Sequence, residues 1–267
     1  MLREAHVEAA GRRLRYLRAG SGWPLVLLHA FPLSADLWRP QLDRVPRGWQ
    51  FLAPDLRGFG RGSLPPTSLT MDDMAADVSA FMDALEIDRA VIGGLSMGGY
   101  VTMALYRLAP DRFTSIVLAN TKASLDTPEG RAAREQMIEL VRHKGAPAVA
   151  DQMMPKLLGA TSQRARPYLE PLVRRLIEAN SAEGIEAAIH AIRDRPDSLP
   201  TLERTAVPAL VITSDEDDII PVSESEAMHR VMPRSQLVVL SAAGHLSNLE
   251  VPDDFSEALG NFLTANL

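Results

Sequence analysis

The chain of 267 residues has room for one large domain, or for a core carrying one sizeable insertion. Its 46% apolar and 23% charged residues with a net charge of −6 suit a globular protein and give no support to a nucleic-acid partner. Cysteine is absent, which excludes disulfides, thiolate nucleophiles and Cys-ligated zinc. The first residues show no apolar signal core, and no apolar run approaches the roughly 18 to 20 residues that span a bilayer. The expectation is a cytoplasmic protein with neither a membrane nor a nucleic-acid partner.

In chain order, residues 6 to 18 alternate around Ala10-Gly11 and predict a hairpin. Short apolar runs follow at Pro24 to His29, Trp49 to Pro54, Arg89 to Gly94, Ser115 to Asn120, Ala209 to Ser214 and Gln236 to Ser241. Each is apolar on both faces, as strands covered on both sides by helices are. Helical stripes lie between them: Met74, Val78, Phe81, Met82 and Leu85 share one face of residues 71 to 86. Further helices are predicted over Met97 to Leu108 and over 253 to 264. Alternating strand and helix imply a mostly parallel α/β sheet. The alternation breaks between Asn120 and Val207, where helices are expected near 128–143, 146–158, 163–179 and 182–194. That stretch reads as a helical insertion between two strands.

The motif Gly94-Leu95-Ser96-Met97-Gly98 fits G-x-S-x-G, after a predicted strand and before a predicted helix. Such a turn is so sharp that the serine needs strained dihedrals and small residues on either side. A Gly-rich phosphate turn fits worse, because there is no G-x-G-x-x-G and no lysine follows Gly98 or Gly99. A serine nucleophile needs a base oriented by an acid. Of the six histidines, His6 lies in the hairpin, and His143, His190 and His229 lie on helical segments. His245 instead follows the last strand in a small-residue loop, at the sheet edge where sites of parallel sheets gather. The acidic run after the Ala209 strand offers Asp215, Glu216, Asp217 and Asp218, and composition does not choose among them. An amide of loop 30–34 and the amide of Met97 suit an oxyanion hole, each such donor being worth about 3 to 4 kcal/mol in the transition state.

Together "HAFPLS", "DLRGFGRGS", "GGLSMGG", "SDEDDIIP" and "AAGHLSNLE" resemble, in order and spacing, the α/β-hydrolase superfamily over nearly the whole chain. The likeness is greatest to the small bacterial esterase, enol-lactonase and cofactor-free haloperoxidase-like branch. It implies an α/β fold with a mostly parallel eight-stranded sheet flanked by helices and a helical cap inserted after strand six. The implied division is a core of residues 1–120 and 207–267 and a cap, or lid, of 121–206. Ser96 matches the family nucleophile and His245 the base. Asp217 matches the acid of G-x-x-D-x-x-x-P, with Ser214 in the glycine position. Phe31 and Met97 match the oxyanion residues, and His29 the structural histidine, with Ala30 where glycine is usual. Gly94 and Gly98 support the elbow. Asp55 to Gly62 matches the D-x-R-G-x-G turn, for which a structural role is expected. Asn120, at the end of strand six, lacks the carboxylate that some relatives carry there, and Asp126 lies further into the cap.

The implied activity is that of a serine hydrolase cleaving small-molecule carboxylic esters or lactones through an acyl-enzyme, with no metal and no cofactor. The alternatives with the same triad are perhydrolysis and carbon–carbon bond hydrolysis, and a non-catalytic ligand-binding homologue stands behind them. Met137, Met153, Met154 and Tyr168 are the cap candidates for substrate contact, although the methionines equally suit helix packing. Tyr168 is the one aromatic between 121 and 200, which points to an aliphatic pocket. Of the cap arginines, most are expected to pair on helix faces, leaving one at most for a substrate carboxylate. The oligomeric state stays open.

Overall fold

The computed structural model describes residues 1–60 and 68–266, so Arg61, Gly62 and Ser63 of the "DLRGFGRGS" stretch lie outside the described residues. Eight strands form one sheet: β1 (Arg3–Ala9), β2 (Arg12–Gly20), β3 (Trp23–Leu28), β4 (Trp49–Pro54), β5 (Ala90–Leu95), β6 (Phe113–Ala119), β7 (Ala209–Ser214) and β8 (Ser235–Leu240). Their order is β1-β2-β4-β3-β5-β6-β7-β8. The Ala10-Gly11 turn has positive φ at both residues, 50° and 70°, the backbone that closes a two-residue hairpin, and β1, β2 and β4 are antiparallel neighbours. From β4 onward every pairing is parallel.

This order carries one functional consequence. The sheet grows outward in both directions from the β3–β5 pair, so the loops after β3 and β5 leave side by side at a topological switch point. Leu28 pairs with Gly94, Leu95 with Ala119 and Ser214 with Leu240, so the ends of five strands line one edge. The sequence motifs sit on the loops leaving that edge.

β5 and β7 are buried at every residue, as expected of strands covered on both faces. β8 departs from the expectation of full cover. It closes the sheet, buries only its last residue, Leu240, and leaves Val239 47% exposed. The helix Met71–Ala84 starts at a reciprocal cap between Thr70 and Asp73 and buries Met74, Val78, Phe81 and Met82. Between β6 and β7 the described residues contain helices only: Pro128–Leu157, Ala160–Ala165, Leu169–Glu178, Ala182–Arg193 and Leu199–Leu202. The first is broken at Gly145 (φ 70°), the punctuation expected from its glycine and the nearby Pro147. The expected single helix over 163–179 is instead two, because Pro167 cannot continue the first one and Arg166 before it leaves the helical region.

Two apolar layers flank the sheet. Val26, Leu28 and Ile92 face one; Leu25, Leu27 and Val91 face the other, as the two-residue period of a strand requires. The helices between β6 and β7 supply residues to both, Ile138 and Ile185 to the first and Leu157 and Val173 to the second.

Candidate active site

Ser96 stands between β5 and the helix Met97–Leu108 at φ 55° and ψ −115°, strained for a residue with a side chain. The surrounding contacts explain the glycines. A Cβ on Gly94 would lie 2.0 Å from the Gly98 carbonyl carbon, and one on Gly98 would lie 2.1 Å from the Leu28 carbonyl oxygen. Only glycine lets strand and helix approach this closely. The helix N-terminus points its amides and positive dipole end towards the serine. Neighbouring backbone fixes Ser96 further: its N–H donates to Ala119 O (2.9 Å), and Thr121 Oγ donates to its carbonyl (2.8 Å).

After β7 the acidic run separates by partner. His245 Nδ1 lies 2.9 and 3.1 Å from the two Asp217 oxygens, and both side chains are buried. A carboxylate only accepts, so Nδ1 carries the proton and Nε2 presents a lone pair. Asp217 also accepts from the amides of Ile219 (2.8 Å) and Ile220 (2.9 Å) and from Asn120 Nδ2 (2.9 Å). Burial alone would raise its pKa, but His245, the Ile220 amide and Asn120 outweigh burial and hold it below the ordinary carboxylate value. Asp215 accepts instead from Ala242 N–H at the surface, and Glu216 from Thr161.

Asn120 joins the serine and the acid–base pair. Its two neighbours in sequence, Ala119 and Thr121, bond the Ser96 backbone, while its amide bonds Asp217 and Ser214 Oγ (2.7 Å). Ser247 Oγ donates to its Oδ1 (2.6 Å). Ser214, standing where a glycine is usual, uses its hydroxyl to tie the acid loop to Gly244 O beside His245. The structure therefore brings Asp217 and His245 into direct contact and connects Ser96 to them through the Asn120 backbone. No hydrogen bond joins Ser96 Oγ to His245 among the described residues.

The loop after β3 is held from three sides. Buried His29 donates from Nδ1 to Ala30 O (3.0 Å) and accepts from Leu56 N–H at Nε2 (3.0 Å). Burial lowers its pKa, so it stays neutral and fills both roles. Asp55 accepts the Ala35 amide (2.8 Å) and pairs with buried Arg15 (3.2 Å). Asn180, from the helical stretch, donates to Pro32 O (2.7 Å) and accepts from Gly60 N–H (2.7 Å). Among the described residues no protein acceptor takes the amide of Phe31 or of Met97.

The cap candidates separate. Met154 is buried and lines, with Leu158, Asp151, Arg166, Glu170 and Arg174, a cavity of about 390 Å³ that includes none of Ser96, Asp217 and His245. Met137 and Met153 pack against the apolar layers, and Tyr168 is 64% exposed. Arg131, Arg134 and Arg174 pair with Asp194, Asp126 and Asp151, while Arg166 reaches Ser162 Oγ.

The sequence profile of the alpha/beta hydrolase fold family matches residues 24–252. The chain belongs to this family. The structure superposes with a TM-score of 0.94 on a thermophilic esterase from Thermogutta terrifontis, 34% identical and covered over 99% of both chains. It superposes at 0.90 on the enol-lactonase from Burkholderia xenovorans LB400, 28% identical over 97% of this chain and 100% of that one. A 3-oxoadipate enol-lactonase of Acinetobacter baylyi is 28% identical over 88% of this chain and 86% of its own. Among the described residues of this α/β hydrolase, no helix is long and apolar enough to cross a membrane.

Sequence reasoning misses three polar residues in this α/β hydrolase. Asn120 is read only as an absent carboxylate, yet its φ of 42° at a strand end is a conformation that asparagine tolerates better than most residues. Asn180 lies just past the end of the helix Leu169–Glu178 and carries no local signal beyond that. Glu250 lies five residues after His245 in an otherwise apolar and small-residue stretch, and its complete burial is the clue the linear pattern hides.

Proposed function

We propose that this protein hydrolyses carboxylic esters or lactones of small molecules through an acyl-enzyme on Ser96. The observation that carries the reading is the buried Asp217–His245 pair, bonded through Asn120 to the backbone ledge that holds the strained Ser96. Ser96 Oγ attacks the carbonyl carbon while His245 Nε2 takes its proton. The oxyanion is bound by the amides of Phe31 and Met97. His245 then gives the proton to the leaving alkoxide, and the acyl-enzyme forms. A water molecule, deprotonated by His245, adds to the acyl carbon and releases the acid and free Ser96. Asp217 holds the imidazole tautomer and stabilises its charged form.

Residues 121–206 serve as the lid in this reading. The esterase and enol-lactonase relatives support ester and lactone chemistry. The test is turnover of short p-nitrophenyl esters and of lactones by wild type and Ser96→Ala. The variant is expected to lose at least about 10⁴-fold in kcat. Undiminished turnover by folded Ser96→Ala overturns the assignment.

A further inference from the structure

Glu250 is a buried carboxylate that forms no salt bridge among the described residues; its direct partners are backbone amides. Its Oε2 accepts from the amides of Gly244 (2.9 Å) and Gly159 (2.8 Å), and its Oε1 from the amide of Leu246 (3.1 Å). The hydroxyl of buried Ser162, which accepts from Arg166 (3.3 Å), stands close enough to favour the charged form of Glu250. Gly244 and Leu246 are the two residues flanking His245, whereas Gly159 and Ser162 belong to the helical stretch between β6 and β7. One side chain thus holds the backbone on both sides of the imidazole and, with the same oxygens, the chain that packs over it.

Other contacts make this a single joint. Leu246 N–H also donates to Leu157 O (3.2 Å). A Cβ on Gly244 would lie 2.2 Å from Gly159 N, so the two chains touch backbone to backbone. On the far side, Glu216, next to the acid Asp217, accepts from Thr161 N–H (2.8 Å) and Thr161 Oγ (2.6 Å). Residues 157–162 are therefore fastened to the acid loop by Glu216 and to the base loop by Glu250. Burial raises the Glu250 pKa despite these donors. A burial cost of this kind is retained where the amides it satisfies matter.

We propose that Glu250 is a positioning residue for His245, setting the imidazole against Asp217 by anchoring residues 244 and 246 to segment 157–162. The proposal rests on the reading of His245 as the base. It follows that the placement of this part of the cap and the placement of the base are one equilibrium.

The test uses the full-length chain and four variants: Glu250→Gln, Ser162→Ala, Ser96→Ala and the exposed control Glu203→Gln. Kinetics on a p-nitrophenyl ester are read together with the low-field NMR resonance of the His245 Nδ1 proton and with circular dichroism. Glutamine keeps the shape of Glu250 but replaces one acceptor oxygen with a donor facing bound amides. Glu250→Gln is expected to lower kcat about 100-fold, the scale of a catalytic group displaced by an ångström, with KM changed by less than about threefold. The Nδ1 resonance moves with it, and Glu203→Gln leaves both readouts at wild-type values. Ser162→Ala, a milder lesion that keeps the test open if Glu250→Gln does not fold, moves the resonance in the same direction and lowers kcat several-fold. Folded Glu250→Gln or Ser162→Ala with wild-type kcat and an unmoved resonance overturns the proposal. Ser96→Ala separates the two readings. Should it stay active, the acyl-enzyme reading fails, and the Nδ1 resonance alone decides whether Glu250 positions the imidazole.

Discussion

Asn120 makes four polar contacts from one side chain: its amide reaches Ser214 Oγ, Asp217 Oδ2 and Gly244 O, and its carbonyl accepts from Ser247. It neutralises nothing, so its contribution is orientation: it leaves Asp217 one defined pair of lone pairs for His245. Asn120→Ala removes a hydrogen bond to a charged group, worth about 1.5 to 3 kcal/mol. If that loss falls on the transition state, kcat drops about 10- to 100-fold. Steady-state kinetics with a circular-dichroism check of folding measures it; an unchanged kcat in a folded variant shows that Asp217 is held well enough by the Ile219 and Ile220 amides. Ser214 carries a related lesson. A hydroxyl in a glycine position reads as a departure in sequence, whereas in the fold it bridges the acid loop to Gly244.

At the scale of elements, the entry to the helical stretch is pinned by charge. Asp126 is buried against Arg195 (2.9 Å) and Arg134 (3.1 Å), with Lys122 at 3.4 Å. Arg195 in turn lies 4.1 Å from the centre of the Tyr100 ring, one turn along the helix that Ser96 begins. Burial pushes the Asp126 carboxyl up, but Arg195 and Arg134 outweigh it and bring it from an ordinary 3.8 down to about 2. A depressed acid pKa stabilises the fold above the unfolded value and loses that contribution as pH falls through the folded value. The window here runs from about pH 4 down to about pH 2, and the amount is about 2 kcal/mol. Chemical denaturation of wild type and Asp126→Asn between pH 6 and pH 2 measures it. The variant is expected to be less stable at pH 6, with the gap closing as pH approaches 2. A gap that stays constant across that range refutes the linkage.

For the whole molecule, the two apolar layers decide how it unfolds. Each contains residues from the sheet and from the helices between β6 and β7, so neither layer survives without both. All three tryptophans precede residue 121, whereas much of the helix lies after it. Tryptophan fluorescence therefore follows the sheet half, and far-ultraviolet circular dichroism is weighted to the helices. Urea unfolding is expected to give coincident transitions by the two probes. Separated midpoints mean that the helical stretch melts as a unit of its own.

The sequence by itself determined what is local. Alternation of short apolar runs with helical stripes located all eight strands within two or three residues, because hydrophobic periodicity is imposed by the burial each element needs. The elbow around Ser96 was legible because its glycines answer a steric demand made by immediate neighbours. The full cover expected of β8 was misread, since an apolar run does not say whether its strand is central or at the edge. What only the tertiary structure decided are contacts between loops far apart in the chain. Asn120 meets Asp217 across 97 positions and Ser247 across 127. Those meetings depend on the strand order, which no periodicity encodes. Residue types alone left Asp215, Glu216, Asp217 and Asp218 open, and resemblance to a family pattern selected Asp217. In the fold Asp217 faces His245 because Ser214 and Leu240 end their strands in register, turning both loops inward over the same edge. Glu250 is the extreme case: a carboxylate that composition assigns to the surface is fully buried, because only in the folded chain do the amides beside His245 and at Gly159 converge on it.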